Sequence, residues 1–171
     1  MVIFVFFVSK VYPLDQTQYT VIGVMSGTSL DGIDLACVNF TVGTPWRYSF
    51  LATQTVSYSK AWQDKLAALM TASAEEIQHV NDLYTDLLAE TIQGFIEHYQ
   101  LESLDAVCSH GHTLFHEPEK GLTFQLGNQK KLATRLRVKV VCDFRIQDVA
   151  LGGQGAPLVP IGDRFLFGAY D

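Results

Sequence analysis

The segment Gly27–Asp34 combines residue types that suit the binding of phosphate. Glycine lets a phosphate approach the backbone closely, Thr28 and Ser29 add hydroxyl donors, and Asp31 could hold the Mg²⁺ that neutralises a nucleotide. The segment lacks the Gly-Lys-Ser/Thr ending of a Walker A loop and the glycine spacing of a Rossmann fingerprint. A plain hairpin turn explains the same residues equally well, because Asp-Gly is a favoured turn pair.

A histidine-rich segment, SHGHT, follows a later apolar run. Its spacing matches no standard zinc site, and no HExxH pattern is present, so a metal is the weaker interpretation. Binding of sugar hydroxyls by His110, His112 and Thr113 is the better functional interpretation. The structural alternative is a loop that is held only by its own hydrogen bonds.

A carboxylate and a guanidinium lie close together at Asp143 and Arg145, with Asp148 nearby. Arginine can grip a carboxylate or a phosphate through two hydrogen bonds at once, so this pair suits a polar substrate. An internal ion pair between Asp143 and Arg145 that orders the loop is the alternative, and both interpretations stay open.

Apolar patterning predicts the elements that position these groups. The predicted strands are Thr20–Met25, Ile33–Phe40, Tyr48–Tyr58, Leu104–Cys108, Leu122–Leu126 and Val138–Cys142. The predicted helices are Ala61–Thr71, Ala74–Gln100, Gln129–Arg135 and one within Ile161–Tyr170. This order predicts an α/β domain whose mixed sheet is antiparallel at first and parallel later. Because ligands gather at the carboxyl ends of strands in such sheets, the three polar groups are expected to converge on one crevice.

The composition excludes several classes of protein. The chain has 171 residues, 48% hydrophobic and 18% charged, which is typical of one globular domain. The net charge is −6 without a lysine or arginine block, which argues against a nucleic-acid partner. Three widely spaced cysteines do not indicate a disulfide framework, and they fit a reducing cytoplasm. The apolar start Met1–Val8 is too short to span a bilayer, which needs about 20 residues, so no membrane association is expected.

Four motifs together resemble one family. They are GVMSGTSLDGID, SHGHTLFHEP, FQLGN and DFRIQDVALGGQGAPLVP, and in order and spacing they are similar to the anhydro-N-acetylmuramic acid kinase family. The resemblance runs from about Thr20 to the last residues. It implies the actin-like ATPase fold of sugar kinases, Hsp70 and actin. Residues 1–19 would then be an N-terminal extension, and residues 20–171 the N-terminal lobe with its mixed sheet and flanking helices.

The resemblance also implies an activity, which is ATP- and Mg²⁺-dependent opening of 1,6-anhydro-N-acetylmuramic acid with phosphorylation of O6, in cytoplasmic cell-wall recycling. At position 112, His112 stands where the family leads us to expect glutamine. The small-molecule sugar would be bound by His110, His112, Thr113, Asp143 and Arg145, with Mg²⁺ held by Asp31 through ATP. The residues that match the family's ATP-binding stretch are Gly27, Thr28, Ser29, Leu30, Asp31, Gly32, Ile33 and Asp34.

Chains of this family are about twice as long, and their second half carries the aspartate that acts as general base, in a GFDCGPGN segment. That segment does not occur in this sequence. We therefore expect little or no kinase activity from the 171-residue chain alone. An exposed apolar face between lobes would favour a homo-oligomer or another partner chain. The alternative function is a non-catalytic fragment that binds nucleotide or a partner.

Overall fold

A mixed β-sheet forms the centre of the computed structural model, which describes residues 17–168. The strands are β1 (Gln18–Ser26), β2 (Gly32–Thr41), β3 (Arg47–Ser57), β4 (Ala106–Glu117), β5 (Leu122–Leu126) and β6 (Val140–Val141). The helices are α1 (Lys60–Ala68), α2 (Ala74–His98), α3 (Lys130–Leu136), α4 (Phe144–Ala150) and α5 (Val159–Leu166). Within the described range the sheet order is β3-β2-β1-β4-β5, with β6 beside β4. The prediction for Met1–Val8 lies outside these residues.

Strand directions agree with the sequence prediction at the start of the chain and differ from it later. β1, β2 and β3 form an antiparallel meander, and β4 joins β1 in parallel. β6 is also parallel to β4, but β5 is antiparallel to β4, so the expectation of a parallel second part is wrong for that strand. The reason is the connection, because a single 3-10 turn at Pro118–Lys120 joins β4 to β5, whereas parallel strands need a long crossover.

The long helix α2 covers one face of the sheet and supplies much of the core. It begins as predicted at Ser73, whose side chain accepts a hydrogen bond from Glu76 N over 3.2 Å. Its opposite face is polar, and within residues 17–168 no helix is both long and apolar enough to cross a membrane. The apolar buried residues of α2, which recur at helical spacing and join the sheet in one core, are Val80, Tyr84, Leu88, Ala89, Ile92 and Phe95.

Two predicted elements differ from the structure. The SHGHT segment is not a loop after a strand, because β4 continues through it to Glu117. Its polar residues stay in the sheet because β5 pairs with them, for example Thr113 with Gln125. The strand predicted at Val138–Cys142 is reduced to Val140–Val141, and α4 begins directly after Asp143, where no helix was predicted.

Candidate functional site

The turn between β1 and β2, residues 27–31, presents an anchored carboxylate to solvent. Ser29 Oγ donates a hydrogen bond to Asp31 Oδ1 over 2.7 Å. This bond and backbone N–H groups of the turn hold the pKa of the Asp31 carboxyl below its usual range. Thr28, Ser29 and Asp31 are all exposed. The turn therefore offers hydroxyls and a negative charge to the same region of solvent.

Neighbouring elements hold the backbone of this turn in place. Leu30 lies in the left-handed region with φ 58°, and its carbonyl accepts a hydrogen bond from Gln63 Nε2 of α1 over 3.0 Å. On the other side, Tyr58 N donates to the Asp31 carbonyl over 3.2 Å. Gly32 lies against β3, where a Cβ at this position would stand 2.5 Å from the Val56 carbonyl oxygen. The turn is thus fixed from α1 and from β3, and Gly32 leaves room for the β3 backbone.

The last residues of the predicted ATP-binding stretch lie on β2 and not in the turn. Ile33 is 1% exposed and belongs to the core. Asp34 is exposed, and its Oδ1 accepts a hydrogen bond from Thr55 Oγ1 of β3 over 2.6 Å. In the described structure the turn itself contributes residues 27–31, and a nucleotide role for Ile33 and Asp34 stays a prediction.

A buried chain of hydroxyl groups and one imidazole lies directly beneath the turn. Ser26, the last residue of β1, has its Oγ 2.6 Å from Tyr58 Oη and 3.1 Å from His112 Nδ1. Tyr58 Oη in turn lies 2.6 Å from Tyr84 Oη of α2. All four residues are less than 9% exposed. Burial, and then the charge of His110, lowers the pKa of His112, so its imidazole is neutral at pH 7.

A second cluster of hydrogen bonds joins the SHGHT segment to residues 152–155, the glycine-rich loop after α4. Arg145 Nε donates to His110 Nε2 over 2.9 Å, and Arg145 Nη1 donates to the Gly155 carbonyl over 2.8 Å. Gly155 N donates to Asp148 Oδ2 over 2.7 Å. Because the guanidinium can only donate, His110 Nε2 accepts, and the proton on Nδ1 is directed to the Gly111 carbonyl, 2.9 Å away. His110 is therefore held neutral, and burial lowers its pKa.

Asp143 and Arg145 do not form the ion pair that was one sequence interpretation. Asp143 Oδ1 accepts a hydrogen bond from Asn128 Nδ2 over 3.0 Å, whereas Arg145 bonds to His110 and Gly155. Burial raises the pKa of the Asp143 carboxyl, and the bond to Asn128 counteracts part of that rise. The residues are separated because Asp143 precedes α4 with φ 62° and Arg145 lies inside the helix.

These contacts show that the three polar segments adjoin one another, as predicted, and a crevice shared by them stays a prediction. The parallel β1–β4 pair places Ser26 beside His112, and the chain beyond β6 brings Arg145 to His110. The hydroxyl of Thr113 is buried and has no hydrogen-bond partner within residues 17–168. The substrate-binding roles of these residues stay predictions.

Three residues of the site region carried no role in the sequence analysis. Tyr84 matched the apolar stripe of α2. The local pattern does not tell a tyrosine whose hydroxyl is hydrogen-bonded inside the core from one that only packs there. Tyr58 closed a strand pattern in the same way. Asn128 had a signal, because Asn directly after Gly at the end of a predicted strand is typical of a turn that presents a polar side chain.

Asp31 is the residue of the turn that could contact a metal. The described residues contain no group of three or more His, Cys, Asp or Glu side chains arranged to hold a metal ion. An Mg²⁺ at the turn would therefore take its other ligands from phosphate oxygens and water, which is the usual pattern for this ion with nucleotides.

The buried His112 and the half-buried His110 predict a loss of stability in mild acid. Both have a pKa below the ordinary value of 6.5, so as the pH falls below about 6.5 the unfolded chain takes up protons that the folded chain does not. Stability should be fully present above that pH and decline below it. Asp143, whose pKa is raised above 3.8, acts in the opposite sense, since the stability it contributes is present below 3.8 and is lost as the pH rises through its own raised pKa.

Urea unfolding at pH 8.0 and about 5.5 measures this loss, with both pH values chosen to bracket the ordinary histidine pKa. The double substitution His110→Gln and His112→Gln should flatten the dependence, whereas His79→Gln, which removes an exposed histidine of α2, should leave it unchanged. An equally steep acid loss in the double variant would contradict the assignment.

Comparison with known proteins identifies relatives that all carry one name. The family model for anhydro-N-acetylmuramic acid kinase matches residues 19–171. The anhydro-N-acetylmuramic acid kinase of Mannheimia succiniciproducens is 40% identical over 153 residues, which is 85% of this chain and 40% of that protein. The kinase of the same name from Thiobacillus denitrificans is 41% identical over 143 residues, 81% of this chain and 38% of that protein.

A third relative, from Salinibacter ruber, is 39% identical over 171 residues, 91% of this chain and 43% of that protein. The chain spans about two fifths of the length of the curated relatives that it matches. Among solved structures, RuvC of Thermus thermophilus aligns with 87% of this chain and 80% of its own, at 12% identity and a TM-score of 0.33. A likeness that distant does not establish a shared fold.

Proposed function

The chain belongs to the anhydro-N-acetylmuramic acid kinase family, and we propose that it binds Mg-ATP at the turn between β1 and β2 as part of such a kinase. The observation that carries the proposal is the anchored carboxylate of Asp31, held by Ser29 in a turn whose hydroxyls face solvent. An anchored carboxylate and the exposed hydroxyl of Thr28 meet the needs of a metal-bound phosphate group. A hairpin turn without a ligand needs neither.

The proposed reaction joins hydrolysis of an internal acetal bond to phosphoryl transfer. A water oxygen attacks the anomeric carbon C1 of 1,6-anhydro-N-acetylmuramic acid, and the bond from C1 to O6 breaks. O6 then takes the γ-phosphoryl group of ATP, so the products are N-acetylmuramic acid 6-phosphate, ADP and one proton. Such a transfer depends on positioning and on neutralising charge at the phosphates, which is the task proposed for the turn and its Mg²⁺.

The sugar is proposed to bind beside the turn, at His110, His112, Thr113, Asp143 and Arg145. The contact of Ser26 with His112 supports this placement, because it puts the SHGHT segment next to the nucleotide turn. Arg145 carries a positive charge into the same cluster, and the lactyl ether of muramic acid ends in a carboxylate that a guanidinium would attract. The parallel β1–β4 pair and the mixed sheet support the actin-like ATPase fold, with residues 20–171 as its N-terminal lobe. A cytoplasmic location and association with a second chain belong to the same proposal.

Substitution of Asp31 tests the nucleotide assignment. Isothermal titration of Mg-ATP into wild type and Asp31→Ala should show an affinity loss of at least about tenfold, because a charge-assisted contact is worth about 1.5–3 kcal/mol. The matched control is Asp82→Ala, which removes an exposed carboxylate of α2. Equal affinity in the wild type and Asp31→Ala, or no binding of Mg-ATP by the wild type, would contradict the proposed site.

A further inference from the structure

The buried chain beneath the turn connects His112 to the nucleotide site without exposing it. Ser26 directly precedes Gly27, and the Ser26 side chain is 2% exposed. Its Oγ contacts two groups on different elements, Tyr58 Oη and His112 Nδ1. We propose that His112 is a positioning residue for the nucleotide-binding turn, acting through Ser26. This inference rests on the proposed function of the turn.

The direction of the hydrogen bonds follows from counting protons. Tyr84 Oη lies at one end of this series of hydrogen bonds, 2.6 Å from Tyr58 Oη, and the Ser26 hydroxyl lies near it as well. If Tyr84 donates to Tyr58, Tyr58 donates to Ser26, and Ser26 donates to His112 Nδ1, every hydroxyl proton has an acceptor. The reverse direction leaves the Tyr84 proton without a hydrogen-bonded acceptor among residues 17–168, which is unfavourable inside the core. His112 therefore accepts at Nδ1 and carries its proton on Nε2.

Packing fixes Tyr84, which lies at the end of this series of hydrogen bonds that is farthest from His112. Tyr84 is fully buried, and its ring lies against the backbone of Gly127, where an added Cβ would stand 2.9 Å from Tyr84 Cδ1. Asn81, one turn earlier on α2, accepts a hydrogen bond from Gly127 N over 2.8 Å. The hydroxyl of Tyr84 is thus held at a set position. Through the hydrogen bonds by way of Tyr58, this position constrains the Ser26 hydroxyl.

Protonation of His112 would break this arrangement, because a proton on Nδ1 removes the acceptor for Ser26. Ser26 would then need a new acceptor at the base of the turn, where the groups facing His112 offer no carboxylate contact. A glutamine at this position could accept from Ser26 through its amide oxygen at any pH. The groups that face His112 from the packed elements are Tyr58 after β3, Tyr84 on α2, Leu126 on β5, His110 on its own strand and, through Tyr58, Asp31 of the turn.

The test measures Mg-ATP affinity against pH in the 171-residue chain. At pH 8, His112→Ala should bind Mg-ATP about five- to tenfold more weakly than wild type, and His112→Gln should recover most of that loss. As the pH falls from 8 through the lowered pKa of His112, the affinity of wild type should fall about fivefold relative to His112→Gln, since only wild type loses the acceptor. ATP takes up its own protons equally in both titrations, so the ratio of the two affinities isolates residue 112.

Two further variants keep the test independent of folding. Tyr58→Phe retains the ring and removes the hydroxyl that links α2 to Ser26, so it should weaken Mg-ATP binding by about threefold or more. His79→Gln removes an exposed histidine and should follow the wild-type pH profile. The inference fails if wild type binds Mg-ATP, Asp31→Ala loses that binding, and His112→Gln has the wild-type pH profile. Absence of Mg-ATP binding in wild type would instead overturn the proposed nucleotide-binding function of the turn, on which the inference rests.

Discussion

Substitution of Gly111 by alanine is expected to lower the free energy of unfolding by about 3–5 kcal/mol. Gly111 lies in β4 with φ 73°, a conformation that costs an L-residue about 1–2 kcal/mol. An added Cβ would also stand 2.5 Å from the Leu126 carbonyl oxygen and 3.0 Å from Asn128 Oδ1. The carbonyl belongs to the paired strand β5, so relief of the overlap requires the two strands to separate.

Gly121 separates the two causes of that loss. It has nearly the same backbone conformation, φ 68°, but nothing lies within 4 Å of the position of an added Cβ. Gly121→Ala should therefore cost only the conformational part, about 1 kcal/mol. Urea unfolding of both variants and wild type gives the difference, which reports the overlap with β5. If the two substitutions lower the free energy of unfolding equally, β4 and β5 can move apart at little cost, and the prediction is contradicted.

Removal of the Tyr84 side chain is expected to destabilise the fold to a similar extent, by about 3–5 kcal/mol for Tyr84→Ala. Tyr84 is 0% exposed, and its ring packs against those of Trp62 and His112, with centroids 5.7 Å and 6.0 Å away. Truncation would leave a cavity between α2 and the sheet. It would also remove the first donor of the chain that ends at His112.

Tyr84→Phe separates the hydroxyl from the ring. This variant keeps the packing and removes the proton donated to Tyr58, so it should cost about 1 kcal/mol. The control is Tyr48→Phe, because the Tyr48 ring is 40% exposed and its hydroxyl has no hydrogen bond in the described structure, so a change within about 0.5 kcal/mol is expected. Thermal or urea unfolding measures all three variants. A loss in Tyr84→Ala that is no greater than in Tyr84→Phe would contradict a packing role for the ring.

Local patterns in the sequence were sufficient for the first part of the fold. The meander β1–β3 was predicted within about two residues at its boundaries, because alternating apolar residues and the Asp-Gly turn are short-range signals. The start of α2 was predicted exactly at Ser73, where the capping side chain and its partner are three residues apart. These features depend on neighbours in sequence, and the residues themselves carry that information.

The second part of the fold was harder to predict because distant contacts shape it. The polar half of β4, from His110 onward, has no strand pattern of its own, and β5 keeps it in the sheet. The helix α4 begins at a residue with positive φ, whose carboxyl is held by Asn128 fifteen residues earlier in the chain. The strand β5 was predicted, but its antiparallel pairing with the polar half of β4 is not visible in the local pattern, and Asn128 lies outside a short window around α4.

For the candidate site, the sequence by itself determined the family, the turn that presents Asp31 and the set of polar groups beside it, because residue types and their spacing along the chain carry that chemistry. Only the tertiary structure decided which of these groups touch. In it Asp143 and Arg145 do not bond to each other, and Arg145 is hydrogen-bonded to His110. Ser26 and His112, which are 86 positions apart in the sequence, lie within hydrogen-bond distance. A hydrogen bond depends on distance and direction in space, and the parallel pairing of β1 with β4 sets both for the residues beneath the turn.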